Sequence, residues 1–254
     1  MTKQLLLIDG NSIVFRAFFA MHNQMDKFTN KDGLHTAAIY GFKLMLDHVL
    51  QNFKPDTALV AFDAGKVTFR TKMYDDYKGG RNKTPNELTE QIPYVRELIK
   101  DSGLHSYELA NYEADDIIGT LAKQADDAGY KTLIVTGDRD LTQLASENTT
   151  VAVTHKGVTD TEHYTPAHVE EKLGITPRQI IDMKALMGDS SDNYPGVTKI
   201  GEKTAIKLVK QFGSVEELYD HIDDLKKSKM KEHLIEDEEI ARQCKTLATI
   251  LRDA

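Results

Sequence analysis

Gln4-Leu5-Leu6-Leu7-Ile8-Asp9 is a short apolar run that ends on a carboxylate. A run of roughly four to eight apolar residues with a polar stop suits a strand buried on both faces, the kind found in helix-covered parallel sheets. It is far too short for a signal-peptide core or a membrane span. The design returns at Thr57 to Phe62, followed by Asp63, and at Lys131 to Thr136, followed by Gly137 and Asp138, while Thr150 to Thr154 is a fourth candidate strand. Between the first two strands Ile39, Phe42, Met45, Leu46, Val49 and Phe53 recur at three- and four-residue spacing, which makes one face of a helix. Strands separated by helices predict an α/β fold with a mostly parallel central sheet flanked by helices.

Helix starts punctuate the rest. Thr84-Pro85-Asn86-Glu87 has the pattern of a capping box with proline at the first helical position, and Thr176-Pro177-Arg178-Gln179 and Ser214-Val215-Glu216-Glu217 repeat it. Beyond about Ile180 no strand pattern appears. The expected organisation is an α/β core over residues 1–180 and an all-α region over 181–254.

The 254 residues carry a formal charge of −8, with 40% hydrophobic and 28% charged residues, so the chain reads as globular and large enough to bury a core without staples. The lone Cys244 excludes an internal disulfide or a Cys-rich metal site, and a reducing, cytoplasmic setting with no membrane partner is expected. An acidic total argues against a polyanionic partner until the charges are grouped.

Three candidate strands run into Asp9, Asp63 and Asp138, with Asp140 two residues on. In an open α/β sheet the crevice at the carboxyl ends of the strands is the ligand site, so these side chains should converge. Glu113-Ala114-Asp115-Asp116 opens another helical pattern, and Asp189 and Asp192 follow a further one. Singly, each carboxylate would serve as a cap or a turn residue. Together they would repel and take up protons unless cations neutralised them. Without cysteine clusters or paired histidines the ligands are hard oxygens, which select two Mg²⁺ or Mn²⁺ ions and suit phosphodiester hydrolysis. Setting these nine carboxylates aside leaves the remainder at +1.

Lys66 to Lys83 has a local balance of +4, interleaves Phe69, Tyr74 and Tyr77 with Arg70, Lys78 and Arg81, and contains Gly79-Gly80. A solvated loop and a strand-gripping segment with basic phosphate contacts and stacking tyrosines both fit it. With little apolar periodicity, Thr71 to Thr84 is expected to be mobile until DNA orders it. Pro195 to Ala205 has the glycine turns and helix start of a helix-hairpin-helix, whose backbone N–H groups suit a phosphate.

The motifs Leu7-Ile8-Asp9-Gly10-Asn11-Ser12, Ala61-Phe62-Asp63, Tyr77-Lys78-Gly79-Gly80-Arg81, Tyr112-Glu113-Ala114-Asp115-Asp116, Thr136-Gly137-Asp138-Arg139-Asp140 and Gly188-Asp189-Ser190-Ser191-Asp192 occur in order over almost the whole chain. In this the sequence resembles the 5′ nuclease domains of bacterial DNA polymerases I, within the flap endonuclease superfamily. The resemblance implies a PIN-like core with a helical arch over about 71–102. It implies a structure-specific 5′-3′ exonuclease and 5′ flap endonuclease that acts on DNA with a flap, nick or 5′ end, RNA-primed ends included, in replication and repair. By position, Asp9, Asp63, Glu113 and Asp115 would hold or organise a first metal, Asp138, Asp140 and Asp192 a second, with Asp116 and Asp189 as outer members. Lys78 and Arg81 match the pair that contacts the scissile phosphate, and Arg70, Tyr74 and Tyr77 would join them on DNA. Gly196, Lys199, Gly201, Lys203 and Thr204 match the duplex-gripping hairpin with its K⁺ ion, although Lys199 stands where family members often carry glycine. The likeness further implies a monomer and a polymerase domain following in the chain. The sequence ends at Ala254, short of where the resembling domain usually ends, so an excised domain and a small standalone nuclease both fit.

Other readings fit less well. A phosphatase with a strand-end Asp nucleophile needs a second Asp where Asn11 stands. A PIN-like ribonuclease leaves the basic segment and the hairpin unexplained, and a non-catalytic junction-binding module would be expected to lack carboxylates that are all present.

Overall fold

The computed structural model describes residues 2–21, 27–157 and 159–254. In chain order the strands are β1 (Gln4–Asp9), β2 (Thr57–Ala61), β3 (His105–Tyr107), β4 (Lys131–Thr136), β5 (Thr149–Lys156) and β6 (Asp160–Tyr164). The helices are α1 (Gly10–Met21), α2 (Ala37–Phe53), α3 (Phe69–Met73), α4 (Asn86–Thr89), α5 (Ile92–Asp101), α6 (Ala114–Asp127), α7 (Pro166–Leu173), α8 (Gln179–Met187), α9 (Glu202–Phe212), α10 (Val215–Asp220), α11 (Lys229–Glu236) and α12 (Glu238–Ala248). Among the described residues no helix is long and apolar enough to cross a membrane.

The chain divides into two compact units. The first, Met1–Lys66, Lys83–Thr165 and Leu251–Ala254, contains the whole sheet. Its strand order is β3-β2-β1-β4-β5-β6, parallel throughout except for the antiparallel β5–β6 pair. The order reverses between β1 and β4, and such a reversal opens a crevice at the carboxyl ends of the strands. Leu6, Ile8, Val60 and Val135 pack with Ile13 and Phe18 of α1 and Phe42, Met45 and Leu46 of α2 in one core, as the apolar periodicity requires. Gly10 makes the strand-to-helix turn possible: a Cβ there would lie 2.6 Å from the Phe62 ring and 2.9 Å from the Ala61 carbonyl.

The two strands that sequence patterning missed are the edges of the sheet. β3 is three exposed residues, and β6 reads Asp-Thr-Glu-His-Tyr. Edge strands face solvent and need no apolar run, so they lack the signal that marks β1 and β4. The caps are mixed. Ser214 Oγ accepts from Glu217 N at 3.2 Å, as expected. At Thr176 only the return bond forms, with Gln179 Oε1 accepting from Thr176 N. At Thr84 the box is absent: α4 starts behind Pro85 with no side-chain cap.

The second unit, Val67–Asn82 and Pro166–Ile250, is helical. Its helical composition is that expected of the C-terminal region, and the expected division at residue 180 lies within it. It begins at Pro166 and takes in 67–82, so the segment read as an arch, about 71–102, is shared between the units. Tyr77, Ile181, Tyr194, Cys244, Leu247 and Ala248 form a small core there. Cys244 is a free thiol, pushed up in pKa by burial.

Candidate active site

Parallel register places the first carboxylates. Asp9 pairs with Ala61, and Ile8 pairs with both Val60 and Val135, so β2, β1 and β4 end side by side. Asp63 lies two residues past the end of β2 and Asp138 two past the end of β4. Adjacent strands lie ~4.8 Å apart, so register alone gathers three carboxylates at one edge of the sheet. These strand ends lie at the point where the strand order reverses.

Asp9 is 3% exposed. Its Oδ1 accepts from Ser12 N at 3.1 Å and its Oδ2 from Thr136 Oγ1 at 2.8 Å. Burial above all, with the charge of Asp138 adding to it, pushes its pKa up to about 6, against these hydrogen bonds. Asp138 N donates to the same Thr136 hydroxyl and Asp138 Oδ1 accepts from Asp140 N at 2.8 Å, capping a short 3₁₀ turn, Arg139–Leu144. Asp63 Oδ2 accepts from Asn11 Nδ2 at 2.8 Å and its Oδ1 from Ala114 N at 2.8 Å. Asn11, Ser12 and Thr136 thus orient the cluster. Sequence reading gave them no role, although all three sit in the quoted strand-end motifs.

Glu113 is the N-cap of α6, 6% exposed, and Asp115 lies in the first turn. Asp116 is fully buried, with Oδ2 accepting from Glu113 N at 3.1 Å and Oδ1 from Leu251 N at 3.0 Å. Both of its oxygens take backbone amides. The donors are carboxylate oxygens throughout, which suits Mg²⁺ or Mn²⁺. Among the described residues, no three acidic, histidine or cysteine side chains already form a metal-holding group. The residues fit a hard divalent ion by chemistry and by placement on neighbouring strands, not as a preformed cage.

The second unit holds the other acidic pair. Asp189 is 8% exposed; Oδ1 accepts from Ser191 N and Oγ at 2.7 and 2.6 Å, and Oδ2 is paired with Lys184. Burial opposes its ionisation, but the bonds from Lys184 and Ser191 and the ammonium charge hold its pKa below the usual value. Its bonds to Ser191 close the loop that carries Asp192. Asp192 Oδ1 accepts from Arg81 Nη2 at 2.6 Å, Oδ2 from the Tyr77 hydroxyl at 2.9 Å, and its carbonyl from Lys78 N at 2.8 Å. Lys78 has a positive φ of 57° and its ammonium lies 5.1 Å from the Tyr77 ring centre.

Burial corrects two expectations. Arg70 does not offer its charge to DNA: it is 2% exposed, and Nε and Nη2 donate to Leu247 O at 3.0 Å and Thr249 O at 2.6 Å. Tyr77 is 5% exposed, so its ring packs in protein instead of stacking on bases, with half-buried Tyr74 against the same core. Within Thr71 to Thr84, Tyr77, Lys78 and Arg81 bond to Asp192, and Asn193 Nδ2 donates to Asp76 O at 2.8 Å. Lys78 and Arg81 keep partly and largely exposed side chains.

The hairpin forms as a turn into α9, with Gly201 as its N-cap. Gly196 is required: its φ is 66°, and a Cβ would meet Gly188 N at 2.2 Å. Lys199 also has a positive φ, 60°, which explains why glycine is suited to that position. Thr198 N donates to Asp237 Oδ2 at 2.7 Å, a further tie. Lys199, Gly201 and Lys203 are exposed, Thr204 is half-buried and Gly196 is buried.

The family model described as the 5'-3' exonuclease N-terminal resolvase-like domain matches residues 4–174, and that described as the 5'-3' exonuclease C-terminal SAM fold matches residues 175–254. DNA polymerase I of Streptococcus pneumoniae is 60% identical over 248 residues, 98% of this chain and 28% of the polymerase. DNA polymerase I of Bacillus subtilis is 57% identical over 252 residues, 99% of this chain and 28% of that protein. The chain spans about 28% of the length of these relatives. Among solved structures, T5 5'-exonuclease with bound zinc ions superposes with a TM-score of 0.79 at 23% identity, covering 97% of this chain and 89% of that one. The T5 D15 flap endonuclease in a complex with DNA and metal ions gives 0.79 at 24% identity with the same coverage. The catalytic core of Rad2 with DNA substrate gives 0.56 at 15%, covering 94% of this chain and 73% of that one. At such identities the likeness is one of fold.

Proposed function

Because the chain belongs to the 5'-3' exonuclease family, carrying both its N-terminal resolvase-like domain and its C-terminal SAM fold, we propose that it hydrolyses DNA phosphodiesters at 5′ ends and at the base of 5′ flaps. The observation that carries this reading is the row of strand-end carboxylates, Asp9, Asp63 and Asp138, on three adjacent parallel strands. Asp9, Asp63, Glu113, Asp115, Asp138 and Asp140 would hold two Mg²⁺ or Mn²⁺ ions. When bound, such ions supply a water of lowered pKa and neutralise charge on the leaving oxygen.

The protein's own residues set the conditions for that chemistry. Asn11 and Ala114 N fix Asp63, and Ser12 and Thr136 fix Asp9. Lys78 and Arg81 would bind the phosphate whose charge grows in the transition state. The hairpin from Gly196 to Thr204 would grip the duplex through backbone N–H groups and Lys203. A K⁺ ion there rests on the resemblance alone. Flap-bearing DNA, RNA-primed ends, a part in replication and repair, and a polymerase domain in the same polypeptide are extensions of this reading from the relatives.

A 5′-labelled flap duplex, incubated with and without Mg²⁺ and with the cut position mapped, tests it. The expected result is a cut at or near the junction that leaves a 5′-phosphate and disappears in chelator. Cleavage indifferent to chelator would remove the metal-dependent reading.

A further inference from the structure

Residues Leu251–Ala254 pack with the sheet unit, not with the helices that precede them. Leu251 N donates to Asp116 Oδ1 at 3.0 Å, and Ala254 N donates to Thr120 Oγ1 at 3.0 Å, one helical turn further along α6. Arg252 lies 3.9 Å from Asp126, near the far end of that helix. The segment is therefore tied along the length of α6. The other oxygen of Asp116 accepts from Glu113 N, and the next amide, Ala114 N, holds Asp63. A chain of hydrogen bonds runs from the Leu251 amide through Asp116 to the turn bearing Glu113 and Asp115, and from that turn to Asp63.

A carboxylate that accepts two backbone N–H groups at a helix N-terminus is stabilised where it stands. Turning it toward an ion would give up both bonds and strand two amide donors. We infer that Asp116 is a positioning residue, through which docking of Leu251–Ala254 on α6 sets the placement of Glu113, Asp115 and Asp63. Its functional consequence rests on the metal-dependent reading above. Outer partners that orient metal-binding carboxylates commonly matter ~10–100-fold to affinity when removed.

The test removes the donor and leaves Asp116 untouched. Leu251→Pro has no amide N–H to give, and Thr120→Ala removes the second tie without touching the first. The readouts, in DNA-free protein, are amide exchange at Glu113 to Ile117 in chelator and Mn²⁺ affinity by calorimetry. Leu251→Pro should speed exchange in this turn and weaken Mn²⁺ binding by ~10-fold, with Thr120→Ala moving both in the same direction by less. Asp116→Asn should keep the wild-type number of bound ions at reduced affinity. Unchanged exchange and affinity in folded Leu251→Pro would overturn the inference, as would loss of one ion from Asp116→Asn, which would make Asp116 a ligand. If Leu251→Pro does not fold, Thr120→Ala decides on the same readouts. Wild-type protein that bound no divalent ion would defeat the metal-dependent reading, while the exchange data would still decide whether Leu251–Ala254 hold this turn.

Discussion

The two acidic regions are built by different means. In the sheet unit, strand register positions Asp9, Asp63 and Asp138; Asp9 adjoins the start of α1, Asp138 caps the 3₁₀ turn that follows it, and Asp63 accepts from Ala114 N at the start of α6. The cap reading and the ligand reading are therefore compatible: capping is how the strand-end oxygens are held at the edge of the sheet. In the helical unit Asp192 is fixed by side chains distant in sequence, Tyr77 at a separation of 115 residues and Arg81 at 111. Local patterning determines the first arrangement, and tertiary packing determines the second.

This contrast predicts effects of descending size. In the sheet unit Asp63→Ala and Asp140→Ala should each bring cleavage to background in a folded protein that still binds DNA, because removing one of several repelling carboxylates does not unfold a core. Near-normal turnover in either would break the ligand assignment. Arg81→Ala should lower single-turnover cleavage by ~10² or more while leaving the melting temperature close to wild type. Its pair with Asp192 is half exposed on the arginine side and adds little stability. Arg70→Ala should do the reverse, costing about 2–4 kcal/mol of stability through a cavity and stranded carbonyls. A chemical denaturation series reads that difference, and equal stability losses for the two arginines would erase the distinction between anchor and phosphate contact.

A smaller effect follows from Asp9. Its pKa is raised from 3.8 to about 6, so the folded form holds the proton more tightly than the unfolded chain. The resulting stabilisation is complete below about pH 4 and is lost as pH rises through about 6. In chelator, Asp9→Asn should therefore gain on wild type by about 3 kcal/mol between those limits, with no further gain above pH 7. A pH-independent gap between the two proteins would show that burial does not strain the Asp9 carboxylate.

Legibility in the sequence follows the same line. β1, β2, β4 and β5 were readable because strands buried on both faces must be apolar, and Asp9, Asp63 and Asp138 were readable as their endpoints. β3 and β6 were not, since edge strands tolerate polar residues. The roles of Arg70 and Tyr77 were misread for a related reason. A segment rich in charge and tyrosine looks solvent-facing until its partners arrive, and Arg70 finds Leu247 at a separation of 177 residues. The backbone partners of Asp116 and Asp189, at Glu113, Leu251 and Ser191, are not visible in composition.

On the proposed reading, the carboxyl edge of β2, β1 and β4 is a divalent-ion site. Anomalous scattering from crystals of the protein soaked in Mn²⁺ tests it without DNA or turnover. The expected result is Mn²⁺ density bounded by the carboxylates of Asp9, Asp63 and Asp138 with Glu113 or Asp115, and its loss in Asp63→Ala. Mn²⁺ density found only elsewhere, or unaltered by Asp63→Ala, would contradict the account.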